Sequence, residues 1–270
     1  IQELSDSYDY KFIFTNKNTN DITNENTLRD IIIDSNIKCI INCAAYTSVD
    51  KAEMEFQLAD SVNRVAVCNL AKLAKEFNIK LIHISTDYVF DGTSSIPYTE
   101  KDKTNPLNVY GKSKLSGELE LLKQNPKNSI IIRTSWVYSS IGNNFVKTML
   151  RLGRERDELG VVYDQIGTPT YAGDLAILIL DLIPLIKNEK VEIYNYTNEG
   201  VVSWYDFAKE VMAIDKSSCR IYPLETIEYP TPATRPYYSL LNKSKIKNKF
   251  NIRIPYWKES LHKCLRILGE

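Results

Sequence analysis

The stretch Lys80-Leu81-Ile82-His83-Ile84-Ser85 decides the fold. It is a short, almost continuously apolar run rich in β-branched residues, as expected of a strand covered on both faces. A helical stretch leads into it, with Val62, Ala66, Leu70, Leu73 and Phe77 recurring at helical spacing between Asp50 and Phe77. A turn-rich loop follows, carrying Asp91-Gly92, Pro97 and Asn105-Pro106. Then come a helix from Tyr110 to about Lys123 and a second apolar strand, Ser129–Thr134. Strand, long crossover and strand is the grammar of a parallel sheet wrapped by helices.

The same alternation extends in both directions. Upstream, Tyr10–Thr15 reads as a strand, Glu25–Ser35 as a helix and Lys38–Cys43 as a strand ending in the small-residue loop Ala44-Ala45-Tyr46-Thr47. Downstream, helices are expected at Asn143–Arg156, Asp174–Ile186, Ser203–Met212 (Ser203 as N-cap), Lys243–Phe250 and Tyr256–Leu268, with a strand at Val191–Tyr196. Four prolines between Pro223 and Pro236 mark an irregular, exposed segment. The fold class is therefore α/β: a Rossmann-like, doubly wound parallel sheet with a smaller C-terminal substrate-binding α/β region. Residues 1–140 are expected to form the dinucleotide-binding domain and 141–270 mainly the substrate region. A segment at about 157–190 is expected to return to the first domain.

Composition narrows the function classes. Thirty-four basic residues balance thirty-four acidic ones in 270, so nothing points to nucleic acid or an anionic membrane surface. No apolar run approaches the length of a membrane span. Cys39, Cys43, Cys68, Cys219 and Cys264 show no metal-like spacing, and two histidines, His83 and His262, are too few and too distant for zinc. No metal site is expected. Buried, reduced thiols in a cytoplasmic protein are the simplest account of the cysteines.

The chemistry lies where the strand Lys80–Ser85 ends. Ser85-Thr86-Asp87 occupies the carboxyl edge of the sheet, where open α/β proteins bind ligands. A hydroxyl there can hydrogen-bond a carbonyl undergoing reduction; the plainer alternative is that Thr86 caps the next element. Tyr110 and Lys114 stand four residues apart, so they share one helix face. An ammonium beside a phenol is expected to lower the phenol's pKa and make it a usable acid near neutrality. Hydroxyl, phenol and ammonium together suit the protonation of an alkoxide as hydride arrives.

From Cys39 to Ala176 the chain resembles the extended short-chain dehydrogenase/reductases, and within them the dTDP-4-dehydrorhamnose reductases. The resemblance rests on Ile41-Asn42-Cys43-Ala44-Ala45-Tyr46-Thr47-Ser48-Val49-Asp50, Ser85-Thr86-Asp87-Tyr88-Val89-Phe90-Asp91-Gly92 and Asn105-Pro106-Leu107-Asn108-Val109-Tyr110-Gly111-Lys112-Ser113-Lys114. Arg133-Thr134-Ser135-Trp136-Val137-Tyr138, Gly142-Asn143-Asn144-Phe145-Val146 and Asp164-Gln165-Ile166-Gly167-Thr168-Pro169-Thr170 complete it. The last hundred residues match more loosely, chiefly at Thr234-Arg235-Pro236 and Asn242.

The resemblance implies that Tyr110 donates the proton, Lys114 holds the nicotinamide ribose and tunes Tyr110, and Thr86 binds the sugar carbonyl. Ala44, Ala45 and Thr47 would line the cofactor, where bulkier side chains would collide with it. Asp87, Tyr88, Trp136 and Arg235 would contact a dTDP-sugar. Trp136 offers a flat apolar face, with a core aromatic as its alternative, and Arg235 a fork for a pyrophosphate, with a surface ion pair as its alternative. Asp21 would meet adenine or cap a helix. Lys17, at the end of the segment Phe14-Thr15-Asn16-Lys17, could pair with a 2′-phosphate, which favours NADPH over NADH.

The implied reaction reduces the C4 ketone of dTDP-4-dehydro-6-deoxy-L-mannose to dTDP-L-rhamnose, for surface polysaccharides. A 4,6-dehydratase would carry Glu where Tyr88 stands, and a 4-epimerase usually a Ser in place of Thr86. The remaining alternative is a non-catalytic binding subunit of the same fold, like the regulatory subunit of methionine adenosyltransferase. Many relatives pair through a metal held by glutamates. One of those positions falls upstream of Ile1, so the metal is not carried over and a homodimer stays an open alternative. No G-x-x-G precedes Tyr10, which sets the expectation that roughly 15–20 further residues precede Ile1; a copy without its phosphate loop is the alternative.

Overall fold

The computed structural model describes residues 1–269. Its main elements run α1 (Glu25–Asp34), β1 (Cys39–Asn42), α2 (Ala66–Glu76), β2 (Lys80–Thr86), α3 (Val109–Gln124), β3 (Ser129–Thr134), α4 (Phe145–Glu155), β4 (Glu158–Val162), α5 (Ala172–Leu182), β5 (Glu192–Asn195), α6 (Trp204–Asp215), β6 (Arg220–Leu224), α7 (Ser244–Phe250) and α8 (Trp257–Ile267). Strands β1, β2, β3 and β5 form one parallel sheet in that spatial order. Alternate residues along it face opposite ways. Leu81 and Ile131 pack with Leu28, Leu70, Leu73 and Leu121 of α1, α2 and α3. Ile82, Ile130 and Ile132 pack on the other face against Leu175 and Ile179 of α5 and Ile246 of α7. A doubly wound sheet results, its strands buried on both sides as their apolar sequences require.

A second core gathers Val146 and Met149 of α4, Phe207 and Val211 of α6, Ile221 of β6 and Trp257 and Leu261 of α8. Of the stretch 157–190, only part returns to the large sheet. Strand β4 pairs in parallel with β6 outside it, whereas α5 covers the face carrying Ile130. Ser203 caps α6 in a full capping box with Asp206. Between Pro223 and Pro236 the chain is irregular apart from the end of β6 and a short 3-10 turn, Thr226–Glu228.

Two expectations fail. Tyr10–Thr15 is not a strand: the chain bends at Tyr10 and carries no regular structure from there to Thr15. Among the described residues no strand pairs with it. A groove of about 1030 Å³, lined by Tyr10–Lys17 on one side and Lys38–Ala44 on the other, separates it from the edge strand β1. Without a ladder partner, its period-two pattern only aligns Tyr8, Tyr10, Phe12 and Phe14 in a row of successive ring contacts. The long helix expected from Asp50 to Phe77 is also interrupted. Short helices at Val49–Ala52 and Phe56–Asp60 and a π-turn at Ser61–Val65 precede α2. The π-turn coincides with Asn63, whose side chain accepts from Tyr46 N (2.9 Å) and donates to Tyr46 O (3.1 Å) and Ser113 Oγ (2.9 Å). It ties the loop after β1 to α3, and π-turns inside helices often mark such functional junctions.

Candidate active site

Helix α3 is placed by its own sequence. Asn108 caps it, accepting from Gly111 N at 2.8 Å, and donates through Nδ2 to Thr234 O at 2.8 Å. Two glycines let it lie unusually close to its neighbours. A Cβ on Gly111 would stand 2.3 Å from Tyr88 O, and one on Gly117 would stand 2.1 Å from Asn63 O. Tyr110 and Lys114 are thereby pressed against the carboxyl end of the sheet.

There the residues following β1, β2 and β3 enclose a cavity of about 480 Å³ whose lining includes Ala45, Thr47, Thr86, Asp87, Lys114 and Trp136, together with Tyr110. Seven of the sequence-predicted residues thus meet in one place. Thr86 Oγ1 donates to Asp87 Oδ1 at 3.1 Å and accepts from Tyr88 N at 3.2 Å, so it also caps the turn Asp87–Val89. The capping role weighed as its alternative is thus realised, and its one hydroxyl proton is engaged by Asp87. Tyr88 lies edge-on to Tyr110, ring centroids 5.8 Å apart. Asp87 is buried, which raises its carboxyl to about 7 against hydrogen bonds from Ser239 and Thr86.

The expected lowering of the tyrosine pKa does not appear. Burial pushes Tyr110 up to about 12; its contact with Thr86 works the other way, and the charge of Asp87 adds to the rise. Lys114 turns its ammonium to the backbone of β2, donating to Ile84 O at 2.6 Å, where the sequence had suggested a phenol partner. Burial brings Lys114 down to about 8, opposed by Glu118 and Cys43. A side chain sealed from water cannot hold its charge cheaply.

The other expected residues lie elsewhere. Lys17, Asp21 and Ala44 line the 1030 Å³ groove, which meets the 480 Å³ cavity at Cys43. Asp21 does not cap α1; Asn24 does. The Asp21 carboxylate instead accepts from Thr23 N and Oγ1 at 2.9 and 2.7 Å, and those bonds lower its pKa. Arg235 is held bidentately by Asp50 at 2.9 and 2.8 Å and also donates to Thr231 Oγ1 and Ala233 O. It forms the ion pair weighed as its alternative, and it sits close enough to Tyr88 for each to influence the other's charge.

Several contacts of the site, though not Trp136 itself, escaped the sequence reading. Trp136 has a left-handed backbone (φ 47°) and stacks on Trp204, centroids 3.6 Å apart and planes 11° from parallel. Gly167 makes room for it, since a Cβ there would lie 2.8 Å from the indole. Glu118 and Arg133, both buried, form a charge-assisted pair at 2.6 Å directly behind Lys114. His83 and Asn42 sit beneath the lysine. For Asn42, His83 and Arg133, a polar residue inside an apolar strand was the available signal.

The family profile described as RmlD substrate binding domain matches residues 1–269. The chain belongs to the dTDP-4-dehydrorhamnose reductase family. A dTDP-4-dehydrorhamnose reductase of Aggregatibacter actinomycetemcomitans is 46% identical over 276 aligned residues, covering 99% of this chain and 93% of that one. The solved dTDP-4-dehydrorhamnose reductase of Clostridium acetobutylicum superposes with a TM-score of 0.94 at 39% identity, covering 100% of this chain and 94% of the other. That of Bacillus anthracis, solved in complex with NADP, gives 0.93 at 36% identity, over 98% and 94%. Among the described residues of this family member no helix is long and apolar enough to cross a membrane, and no cluster of three or more His, Cys, Asp or Glu could hold a metal.

Proposed function

We propose that this chain is an NADPH-dependent reductase that converts the C4 ketone of dTDP-4-dehydro-6-deoxy-L-mannose to the alcohol of dTDP-L-rhamnose. The observation that carries the assignment is the convergence of Tyr110, Lys114 and Thr86 on one cavity beside Trp136. The cofactor fits the residues present. The nicotinamide end has space beside Ala45 and Thr47 in the cavity that also holds Tyr110 and Lys114. Lys17 would pair with a 2′-phosphate, and the small side chains of Ala44, Ala45 and Thr47 would leave room for the nicotinamide end. When bound, the cofactor supplies the hydride.

The protein's share is proton supply and positioning. Thr86 Oγ1, by turning its hydroxyl proton away from Asp87, offers a hydrogen bond to the carbonyl oxygen, polarising it, while the buried Tyr110, protonated throughout the physiological range, gives its proton to O4. Lys114 lies one turn along the same face and supplies positive charge as the phenolate forms. Trp136, braced by Trp204, provides an apolar wall for the sugar nucleotide. Arg235 reaches a substrate pyrophosphate only by releasing Asp50.

The test follows absorbance at 340 nm with NADPH and the 4-keto sugar nucleotide. Oxidation of the cofactor supports the assignment. NADPH binding without turnover would replace it with a binding subunit of the same fold. A homodimer and a cytoplasmic location complete the proposal, the first checked by sedimentation. A division into a sheet domain and a second domain is supported by their separate cores, although α5, β5 and α7 from beyond residue 140 belong to the sheet's core.

A further inference from the structure

Beneath Lys114 runs a chain of hydrogen-bonding groups that the reaction above does not use. Asn42 ends β1 and His83 is its register partner on β2, so their side chains stand together on the face covered by α3. Both are buried, His83 completely. Asn42 Oδ1 accepts from Ala44 N at 3.1 Å. That bond fixes the amide, because turning it over would set Nδ2 against another N–H donor. Asn42 Nδ2 then points at His83 Nδ1 at 3.1 Å. The ring nitrogen receiving it must be the acceptor, which leaves the imidazole proton on Nε2. Nε2 faces Lys114 Nζ at 3.5 Å.

An N–H thus confronts an ammonium. Two donors cannot bond to each other, whereas an uncharged amine could accept from Nε2–H. We propose that His83 is a positioning residue for Lys114: locked by Asn42 as its Nε2–H tautomer, it presents a donor to the lysine nitrogen, so that on β2 only the carbonyl of Ile84 holds the ammonium and the lysine's state is coupled to the cofactor-lining loop at Ala44. This inference rests on Lys114 being the lysine of the proposed reductase. Burial acts on Lys114 in the same direction, to about 8, and keeps His83 itself neutral well below the ordinary histidine range, Lys114's charge adding to that. The other groups facing the ammonium are Tyr110 and Glu118 from its own helix and Cys43 after β1. Glu118 is engaged by Arg133 of β3, and Asp87 lines the same cavity.

Nitrogen-15 NMR of the full chain, selectively labelled at histidine, tests this without relying on turnover. The chain has two histidines, and His262→Gln removes the exposed one from the spectrum. The expected result is an Nε2–H tautomer whose Nε2 resonance inflects at the pH where the alkaline limb of kcat/KM falls, and which loses that inflection in Lys114→Met. Asn42→Asp should convert the ring to Nδ1–H, because a carboxylate can only accept there. Nε2 then becomes an acceptor for the ammonium, and the alkaline limb should move up by about one pH unit. An Nδ1–H tautomer in the parent would overturn the proposal. So would an alkaline limb raised in Asn42→Asp with the tautomer unchanged, since charge alone would then explain it. An inactive parent with the expected spectra would count against the proposed function and leave the tautomer and its coupling to Lys114 standing.

Discussion

Adding one methyl group at Gly111 should cripple turnover more than it harms the fold. In an isolated helix Gly→Ala stabilises by about 1 kcal/mol. Here the new Cβ would stand 2.3 Å from Tyr88 O and 3.0 Å from Pro106 Cβ. The first contact is roughly 1 Å inside ordinary van der Waals distance, and its partner is backbone that cannot rotate away. Either α3 retreats or the Thr86-Asp87-Tyr88 turn does, and both movements separate Tyr110 from Thr86 by a comparable amount. A misplacement of about 1 Å at reacting groups costs on the order of 10²-fold in rate, equivalent to about 2.7 kcal/mol of transition-state stabilisation. We expect Gly111→Ala to lower kcat/KM in the 340 nm assay by about that factor, with a lowered Tm and a native circular dichroism spectrum. A variant within threefold of the parent rate would refute the claim that the contact of α3 with this turn sets the catalytic geometry.

Tyr110→Phe should abolish most turnover with little loss of NADPH affinity measured by fluorescence titration, while Lys114→Ala should impair both. The alkaline limb of kcat/KM should fall near pH 8, where buried Lys114 loses its proton, and not near the much higher value of Tyr110; a flat profile to pH 10 would contradict this. His83 stays neutral when folded but takes up a proton when unfolded below about pH 6.5, so stability should fall with pH there by up to about 1.4 kcal/mol per unit. Urea unfolding at pH 7.0 and 5.5 measures that difference, and His83→Gln should reduce its slope. Glu118→Gln strands the buried Arg133 guanidinium and should cost about 3–5 kcal/mol in the same assay, whereas an exposed pair such as Lys127–Glu189 should cost well under 1 when broken.

Much of this molecule follows from local pattern. The apolar run ending at Ser85, the helical spacing of Leu70 and Leu73 and the one-turn separation of Tyr110 from Lys114 specify strand, helix and shared face, since each depends on geometry within a few residues. The short words around Thr86, Tyr110 and Trp136 pointed to one carboxyl edge because strand ends in a parallel sheet share a rim. The tertiary structure decided the rest. Tyr10–Thr15 has strand composition, yet among the described residues no strand pairs with it. The lysine beside the phenol in sequence bonds to the carbonyl of Ile84 in space. Asn42, His83 and Lys114 form one chain although 41 and 31 residues separate them. Charge and protonation depend on what surrounds a group at a few ångströms, and that environment is assembled from distant parts of the chain only when it folds.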